Sequence, residues 1–328
     1  MIVVTGGAGF IGSNLVAGLE EAGAGDIVVV DRFGRDDKWR NLAKRAPADI
    51  VRPEALGAFL AAHADAIDTV FHLGAISATT ERDVDLIVAE NIRATLDLWG
   101  HCRDHGARLI YASSAATYGD GSAGFEDDEQ SQSLSRLLPL NPYGWSKHVV
   151  DRRLTRLAAE GRPTPPQWAG LKFFNVYGPN EYHKGEMRSV IAKITPDLAR
   201  GAPARLFRSH HADYADGGQM RDFVHVDDCV AVMLWLWRHP TVSGLFNVGS
   251  GEARSWNDLA HAIFAALGRV PAIDYIEMPE VLRDRYQYFT QASMSKLRQA
   301  GYDRPFRSLE DGIADYVKNY LIADDPYR

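Results

Sequence analysis

Apolar residues fall along this chain in two alternating rhythms, short continuous runs and longer stretches with one apolar side. Ile2-Val3-Val4-Thr5 is a continuous run that predicts a short buried strand, and residues 10–23 carry Ile11, Leu15 and Leu19 at helical spacing. The pattern repeats: strands are predicted at 27–30, 48–51, 69–72 and 109–114, and helices at 54–63 and 85–105. Asn141 before Pro142 reads as an N-cap and first helical position, so another helix opens there. The stretch 170–179 predicts a last strand and an exit from this unit. Residues 255–267 and 309–321 show apolar residues at helical spacing and are most simply core helices. Strands alternating with helices predict an α/β fold with a doubly wound parallel sheet. The expected division is 1–175 plus roughly 222–250 in that sheet domain, with 176–221 and 251–328 in a smaller mixed α/β domain.

Composition narrows the class without naming a function. At 328 residues, with 46% hydrophobic and 24% charged positions, the chain is an ordinary globular protein large enough for about two domains. A formal charge of -7 gives no reason to expect nucleic acid as a partner. Cys102 and Cys229 stand in no metal-ligand spacing, which points to a reducing, cytoplasmic setting. Met1 leads directly into a strand, so no signal peptide is expected, and the longest apolar run, 229–237, is far short of the roughly 20 residues that span a bilayer.

Chemistry is concentrated between the strands. Gly6-Gly7-Ala8-Gly9-Phe10-Ile11-Gly12 follows the first strand and opens the first helix, with Gly6, Gly9 and Gly12 at every third position. Glycine allows the tight turn and lets backbone amides reach a pyrophosphate at the helix N-terminus, so a dinucleotide site is expected rather than a plain glycine-rich turn. Asp31 ends the second strand where an acid holds the adenosine ribose. By that rule alone it favours NAD. Arg32 and Lys38 follow, together with Arg35 and Arg40, and a basic cluster there suits the 2'-phosphate of NADP. NADP is therefore the expectation, with NAD the alternative; for Arg35 and Arg40 a solvated loop is equally consistent. Gly74 and Ala75 would let backbone approach the cofactor at a strand's C-terminal end, while Asn91 is as consistent with a local helix bond as with a cofactor contact. Ser113 and Ser114 end the 109–114 strand; one would bond a substrate oxygen and the other cap the turn, a role that suits Ser113 better. Tyr143 and Lys147 lie one helical turn apart, and a cation that close favours the phenolate, so Tyr143 could move a proton near neutral pH. His210, His211 and Asp213 share a polar loop, 209–219, for which no metal is expected.

With Thr5 through Gly12, Asp31, His72-Leu73-Gly74-Ala75, Ser113 through Gly119, and Tyr143 with Lys147 in this order, the chain resembles the extended short-chain dehydrogenase/reductase superfamily. That resemblance implies a Rossmann-type fold with a separate substrate domain, and a catalytic set of Ser114, Tyr143 and Lys147 around a nicotinamide ring. Asn175-Val176-Tyr177-Gly178-Pro179, His183-Lys184-Gly185, Arg221 through Asp228, and Arg285-Tyr286-Gln287-Tyr288-Phe289-Thr290-Gln291 are similar to the ADP-glyceromanno-heptose 6-epimerase family. The similarity implies Lys184 as a second acid/base, further cofactor contacts at Leu73, Ser77 and Val176, and substrate contacts at Asn175, Glu186, Lys193, Phe207, Arg208, Arg221 and Tyr286. It also implies an ADP-sugar substrate and a homo-oligomer, with a pentamer as the family's pattern. The sequence departs from it at Glu186, where a small hydroxyl is expected, at Asn180, where an arginine is common, and in the length of the 209–219 loop. The implied chemistry inverts C6 of the heptose through a transient 6-keto sugar. A UDP-hexose 4-epimerase is the alternative within enzymes. A dehydratase is disfavoured because Ala115-Ala116-Thr117 lacks an acid pair. A non-catalytic dinucleotide sensor is the alternative outside them.

Overall fold

The computed structural model describes residues 1–283 and 286–328, apart from the side chains of Val281 and Leu282. Seven parallel strands form the main sheet: β1 Ile2–Thr5, β2 Ile27–Val30, β3 Asp49–Val51, β4 Thr69–His72, β5 Arg108–Ser114, β6 Trp168–Phe173 and, later in the chain, β10 Gly244–Val248. Their spatial order is β3-β2-β1-β4-β5-β6-β10, so the winding direction reverses between β1 and β4.

The continuous apolar runs are explained by burial on both faces. Ile2 and Val4 pack into one core layer while Val3 packs into the other, and Ile27 and Val29 alternate with Val28 and Val30 in the same way. Helix Phe10–Glu21 covers one face beside helix Val226–Arg238, where Leu15, Leu19, Val230 and Met233 interlock. Each such side chain contributes about 1.5–3 kcal/mol of transfer free energy when fully buried. The opposite face is closed by Leu98 and Trp99 on helix Ala94–His105 and by Val150 and Leu154 on helix Pro142–Ala159.

Two smaller sheets stand beside the large one. β7 Asn175–Tyr177, β9 Met220–His225 and β11 Ala253–Ser255 form a mixed sheet, and β8 Ala204–Phe207 pairs with β12 Ile273–Ile276. They share a third core, which includes Ile191, Leu198, Leu259, Ile263, Ile313 and Val317. β9 falls within the stretch 222–250 expected with the sheet domain, yet it pairs with β7 and β11, outside the large sheet. Within 251–328, helix Ser295–Gln299 and Tyr302 return to the large sheet's core through Leu297 and the tyrosine ring.

The predicted 85–105 helix is not uniform. A short turn, Val84–Ile87, runs into a π-helical segment, Val88–Arg93, before the regular helix Ala94–His105. Asn91 lies in that wide turn, buried. Trp235, Trp237 and Trp256 are all half-buried within the chain.

Candidate active site

The cavity that matters opens at the reversal point between β1 and β4, where open α/β sheets place ligands. It has a volume of about 710 Å³ and is bounded on one side by the glycine turn, including Gly6, Gly9, Phe10, Ile11 and Gly12, and by Leu73, Gly74, Ala75 and Ser77 after β4. Gly6 sits at φ +67°, and a Cβ there would lie 2.6 Å from the Gly74 amide nitrogen. A Cβ on Gly12 would lie 2.0 Å from the Gly6 carbonyl oxygen. These two glycines let the turn fold flat against the helix start. Gly9 supplies no side-chain cap to Phe10–Glu21, so the first amides of that helix are free for an anion. This cradle fits a dinucleotide pyrophosphate.

Asp31 stands at the adjoining corner of the cavity. Its carboxylate accepts from the Ala8 amide at 2.9 Å, the Arg32 amide at 2.7 Å and the Lys38 ammonium at 2.6 Å. Lys38 lines the cavity. Arg32 does not: its guanidinium donates to Glu54 at 2.7 Å and to Glu90 at 2.9 Å, because these two carboxylates outcompete open solvent. The basic residue taken as one of the two best grounds for NADP is thus turned onto acids of the chain itself.

Asn91 also stays off the cavity wall. Its amide oxygen accepts from Ile76 N at 2.8 Å, and its NH2 donates to Ile76 O and to Ser146 Oγ, both at 3.0 Å. With those bonds made inside the protein it shapes the Leu73–Ser77 turn from behind rather than touching a ligand. Behind the same turn His72 completes a directed chain. The Thr95 hydroxyl donates to Asn91 O at 2.6 Å, so it accepts from His72 Nε2–H at 3.0 Å, which leaves Nδ1 of the neutral ring to accept from the Thr5 hydroxyl at 2.7 Å; Thr5 Oγ1 also accepts from Gly74 N. Burial, with the Lys147 charge beside it, lowers the His72 pKa to about 3, so this histidine is neutral.

The opposite wall carries the proton chemistry. Asn141 Oδ1 accepts from Gly144 N at 2.8 Å and Pro142 opens the helix, so the predicted cap is formed. Ser114, Tyr143 and Lys147 then line one cavity. Ser114 Oγ accepts from Ala116 N at 3.1 Å and bonds the Tyr143 phenol, whereas Ser113 Oγ donates to Asp151 at 2.7 Å. Ser114 therefore combines cap and site, and the cap expected of Ser113 is not made by it. Burial raises the Tyr143 pKa, and the Ser114 bond opposes that shift. The expected depression of the phenol by Lys147 is not seen in the protein alone. Burial brings Lys147 itself down to about 8.

Lys184 lies on a 3-10 helix, Tyr182–Met187, and lines the same cavity, its ammonium 5.4 Å from the Phe10 ring centre. Burial lowers its pKa, with Glu181 pulling the other way. The segment is tied to the glycine turn by Asn41, whose NH2 reaches Ala8 O at 2.9 Å, Asn180 O at 3.1 Å and His183 Nδ1 at 3.1 Å. Asn180 takes φ 72°, and its NH2 donates to Ser13 Oγ at 3.0 Å. Its place in this anchor accounts for an asparagine where an arginine was expected. Asn41 and His183 were not foreseen; only the neighbouring Lys184 could have pointed to His183, and nothing in the local sequence singles out Asn41.

Asn175 and Val176 also line the cavity. Arg221, 8% exposed, lies 5.2 Å from the Tyr286 ring centre and 6.0 Å from that of Trp256, and burial lowers its pKa. Trp256 is on the cavity wall and donates to Tyr286 Oη at 3.1 Å, while Phe207 meets the Tyr286 ring edge-on. Arg221, Tyr286 and Phe207 thus form a cluster that Trp256 joins to the cavity. Three other expected substrate contacts are elsewhere. Glu186, its side chain 94% exposed, pairs with Lys193 at 3.2 Å, and neither lines the cavity. Arg208 is held on the surface by Asp216 at 3.0 Å and Glu277 at 3.5 Å. Arg285 lies outside the described residues. In the 209–219 loop, His210 faces Glu277 and His211 faces Asp213. Among the described residues, His225, Asp227 and Asp315 gather ligand-type atoms, and Arg307 reaches all three.

A dinucleotide cradle facing a serine, a tyrosine and two lysines across one cavity defines a nicotinamide-dependent enzyme that moves protons at a substrate oxygen. The chain belongs to the NAD dependent epimerase/dehydratase family, whose model matches residues 2–249. It is 54% identical, over the full length of both chains, to the ADP-L-glycero-D-manno-heptose-6-epimerase of Nitratidesulfovibrio vulgaris strain DP4. The crystal structure of the Helicobacter pylori enzyme of that name superposes with a TM-score of 0.77 at 28% identity, covering 97% of this chain and 95% of that one. The Thermus thermophilus UDP-glucose 4-epimerase, in complex with NAD, gives a TM-score of 0.72 at 26% identity, covering 95% and 96%.

Proposed function

We propose that this chain inverts C6 of the heptose in ADP-D-glycero-D-manno-heptose, producing the L-glycero form. The observation that carries the reading is that Tyr143 and Lys184, from different parts of the chain, line one cavity with the dinucleotide cradle. Full-length likeness to the heptose epimerases supports the choice of sugar nucleotide. The carbon to be inverted bears a C–H bond that is not acidic, so inversion needs a route through a planar ketone. When bound, the nicotinamide supplies that route by accepting a hydride and returning it.

The chain's own groups do the rest. Tyr143 takes the hydroxyl proton of one epimer while Ser114 holds the oxygen in line. Lys147 lies beneath them as a cation free to anchor a ribose hydroxyl. Lys184, its ammonium made more acidic by burial, returns a proton to the oxygen once the keto sugar has turned its other face. The Arg221, Tyr286 and Trp256 cluster suits the diphosphate and base of the nucleotide, since a planar guanidinium forks two phosphate oxygens. The seven-stranded sheet serves as the dinucleotide-binding part and β7 to β9, β11 and β12 with their helices as the substrate-binding part.

We assign NAD as the dinucleotide. Asp31 occupies the ribose corner, and with Glu54 and Glu90 it places three carboxylates against Arg32 and Lys38, a poor setting for a doubly charged phosphate. Mass spectrometry of the cofactor released on denaturation tests this; recovery of NADP would overturn the assignment. The function itself is tested by NMR of reactions supplied with ADP-D-glycero-D-manno-heptose or UDP-glucose. Inversion of the heptose is expected, and turnover of UDP-glucose alone would reassign the substrate.

A further inference from the structure

Beneath the reacting groups lies a fully buried ion pair that the mechanism above does not use. Asp151 and Lys172 are separated by 2.9 Å and both side chains have zero exposure. Asp151 follows Tyr143 by eight residues and Lys147 by four on helix Pro142–Ala159, one row of side chains down the same face. Its two oxygens accept from Tyr111 Oη at 3.0 Å and Ser113 Oγ at 2.7 Å on β5, besides Lys172 on β6. Lys172 Nζ in turn donates to Thr117 Oγ1 at 2.8 Å, and Thr117 donates to the Ser114 carbonyl at 2.8 Å. The Tyr118 ring, 4.8 Å from the ammonium, closes the last side. Tyr111 and Ser113 tie the tyrosine helix directly to the strand that ends in Ser114, and Lys172 ties it through β6 to the turn that follows Ser114. An apolar pair would pack here at least as stably, since the desolvation of two charges is only partly regained by their attraction. Stability alone therefore does not account for charge at this place.

We propose that Asp151 and Lys172 are positioning residues for the epimerase reaction, fixing Ser114 against Tyr143 and cancelling each other's charge beneath the phenol. The inference rests on the function proposed above. Asp151 alone would hold the Tyr143 proton more tightly, and it already acts in that sense on both Tyr143 and Lys147. Lys172 supplies the opposite field, which is felt at His148. The other groups facing the pair are the neutral His72 behind Lys147, the buried phenols of Tyr111 and Tyr118, Arg152 on the same helix, and Glu129 and Asp127 beyond the two phenols. Of these, Tyr111 donates to Asp151 as a neutral phenol, and none pairs with it as a cation in the way Lys172 does.

The test compares Asp151→Asn, Lys172→Gln and the double variant by the pH profile of kcat and by NMR of protein carrying 13Cζ-tyrosine, with the Tyr143 signal assigned through Tyr143→Phe. In Asp151→Asn the acidic limb of kcat and the Tyr143 titration both move to lower pH by about one unit. In Lys172→Gln, which leaves Asp151 unpaired, both move up by a similar amount, and in the double variant they return close to the wild-type position while kcat stays about tenfold down. Movement of the two single variants in the same direction, or of neither, overturns the proposal, because a merely structural pair would change the amount of active protein and not the titration. If a single variant does not fold, Asp151→Glu and Lys172→Arg, which keep the charges, are expected to restore the wild-type profile, and failure of that rescue with folded protein also overturns it. Should the wild type epimerise no sugar nucleotide, the function is wrong, and the Tyr143 titration still reports on the pair.

Discussion

Tyr143 holds its proton more tightly in the protein alone than a free phenol does, since burial outweighs the bond from Ser114. Its role is therefore set by position, and Tyr143→Phe should lower kcat about 10³-fold while leaving the amount of bound dinucleotide near wild type, measured by epimerisation rate and by the absorbance of released cofactor. Retention of full activity would remove Tyr143 from the chemistry. Gly12→Ala acts differently: its Cβ would meet the Gly6 carbonyl oxygen at 2.0 Å, so the turn must open. We expect that variant to purify without dinucleotide and to melt at a lower temperature, both measurable on the purified protein. At this scale the glycines, Asp31, Tyr143 and Lys147 were legible because each is dictated by local backbone or by spacing within one helix. Arg32 and the choice between Ser113 and Ser114 were not. Their partners, Glu54, Glu90 and Asp151, are distant in sequence, and no local pattern says which side chain will satisfy which.

Among the elements, the first sheet was readable because its strands are buried on both faces and so appear as unbroken apolar runs. β9 was not, since Met220-Arg221-Asp222-Phe223-Val224-His225 is no apolar run and its partners β7 and β11 lie elsewhere in the chain. Nor was the short 3-10 helix Asp37–Leu42, which carries Lys38 and Asn41 in a stretch that reads from sequence as a basic cluster with no element of its own. That element joins the dinucleotide turn to the Lys184 segment through the Asn41 side chain. Asn41→Ala should therefore lower kcat by about 10- to 100-fold through misplacement of Lys184, with KM for the sugar nucleotide changed much less. Steady-state kinetics check this, and an equal loss in every parameter together with loss of cofactor would instead make Asn41 a component of the dinucleotide cradle.

Taken whole, the molecule buries histidines in neutral form, and that sets how it meets acid. His72 is pushed down to about 3, and His148 and His225 to about 4, each mainly by burial. An unfolded histidine titrates near 6.5, so between pH 6.5 and these lowered values the unfolded chain binds more protons than the folded one. Stability contributed by these groups is complete above pH 6.5 and is lost as pH falls through that window. For His72 the loss reaches about 2 kcal/mol at pH 5. Buried carboxyls such as Asp222 and Asp228, whose pKa values burial raises, act in the opposite sense, because the folded chain takes up their protons first. The net slope is thus a competition, and the histidine share is isolated by difference. His72→Asn keeps one donor and one acceptor for Thr5 and Thr95 but cannot titrate, so it should be less stable than wild type at pH 7 yet lose about 2 kcal/mol less between pH 7 and pH 5. Urea unfolding at the two pH values measures both quantities. Equal losses in the two proteins would mean that His72 is protonated in the folded state, and the Thr5-His72-Thr95 chain behind the cofactor turn would then have to be rebuilt around a cation.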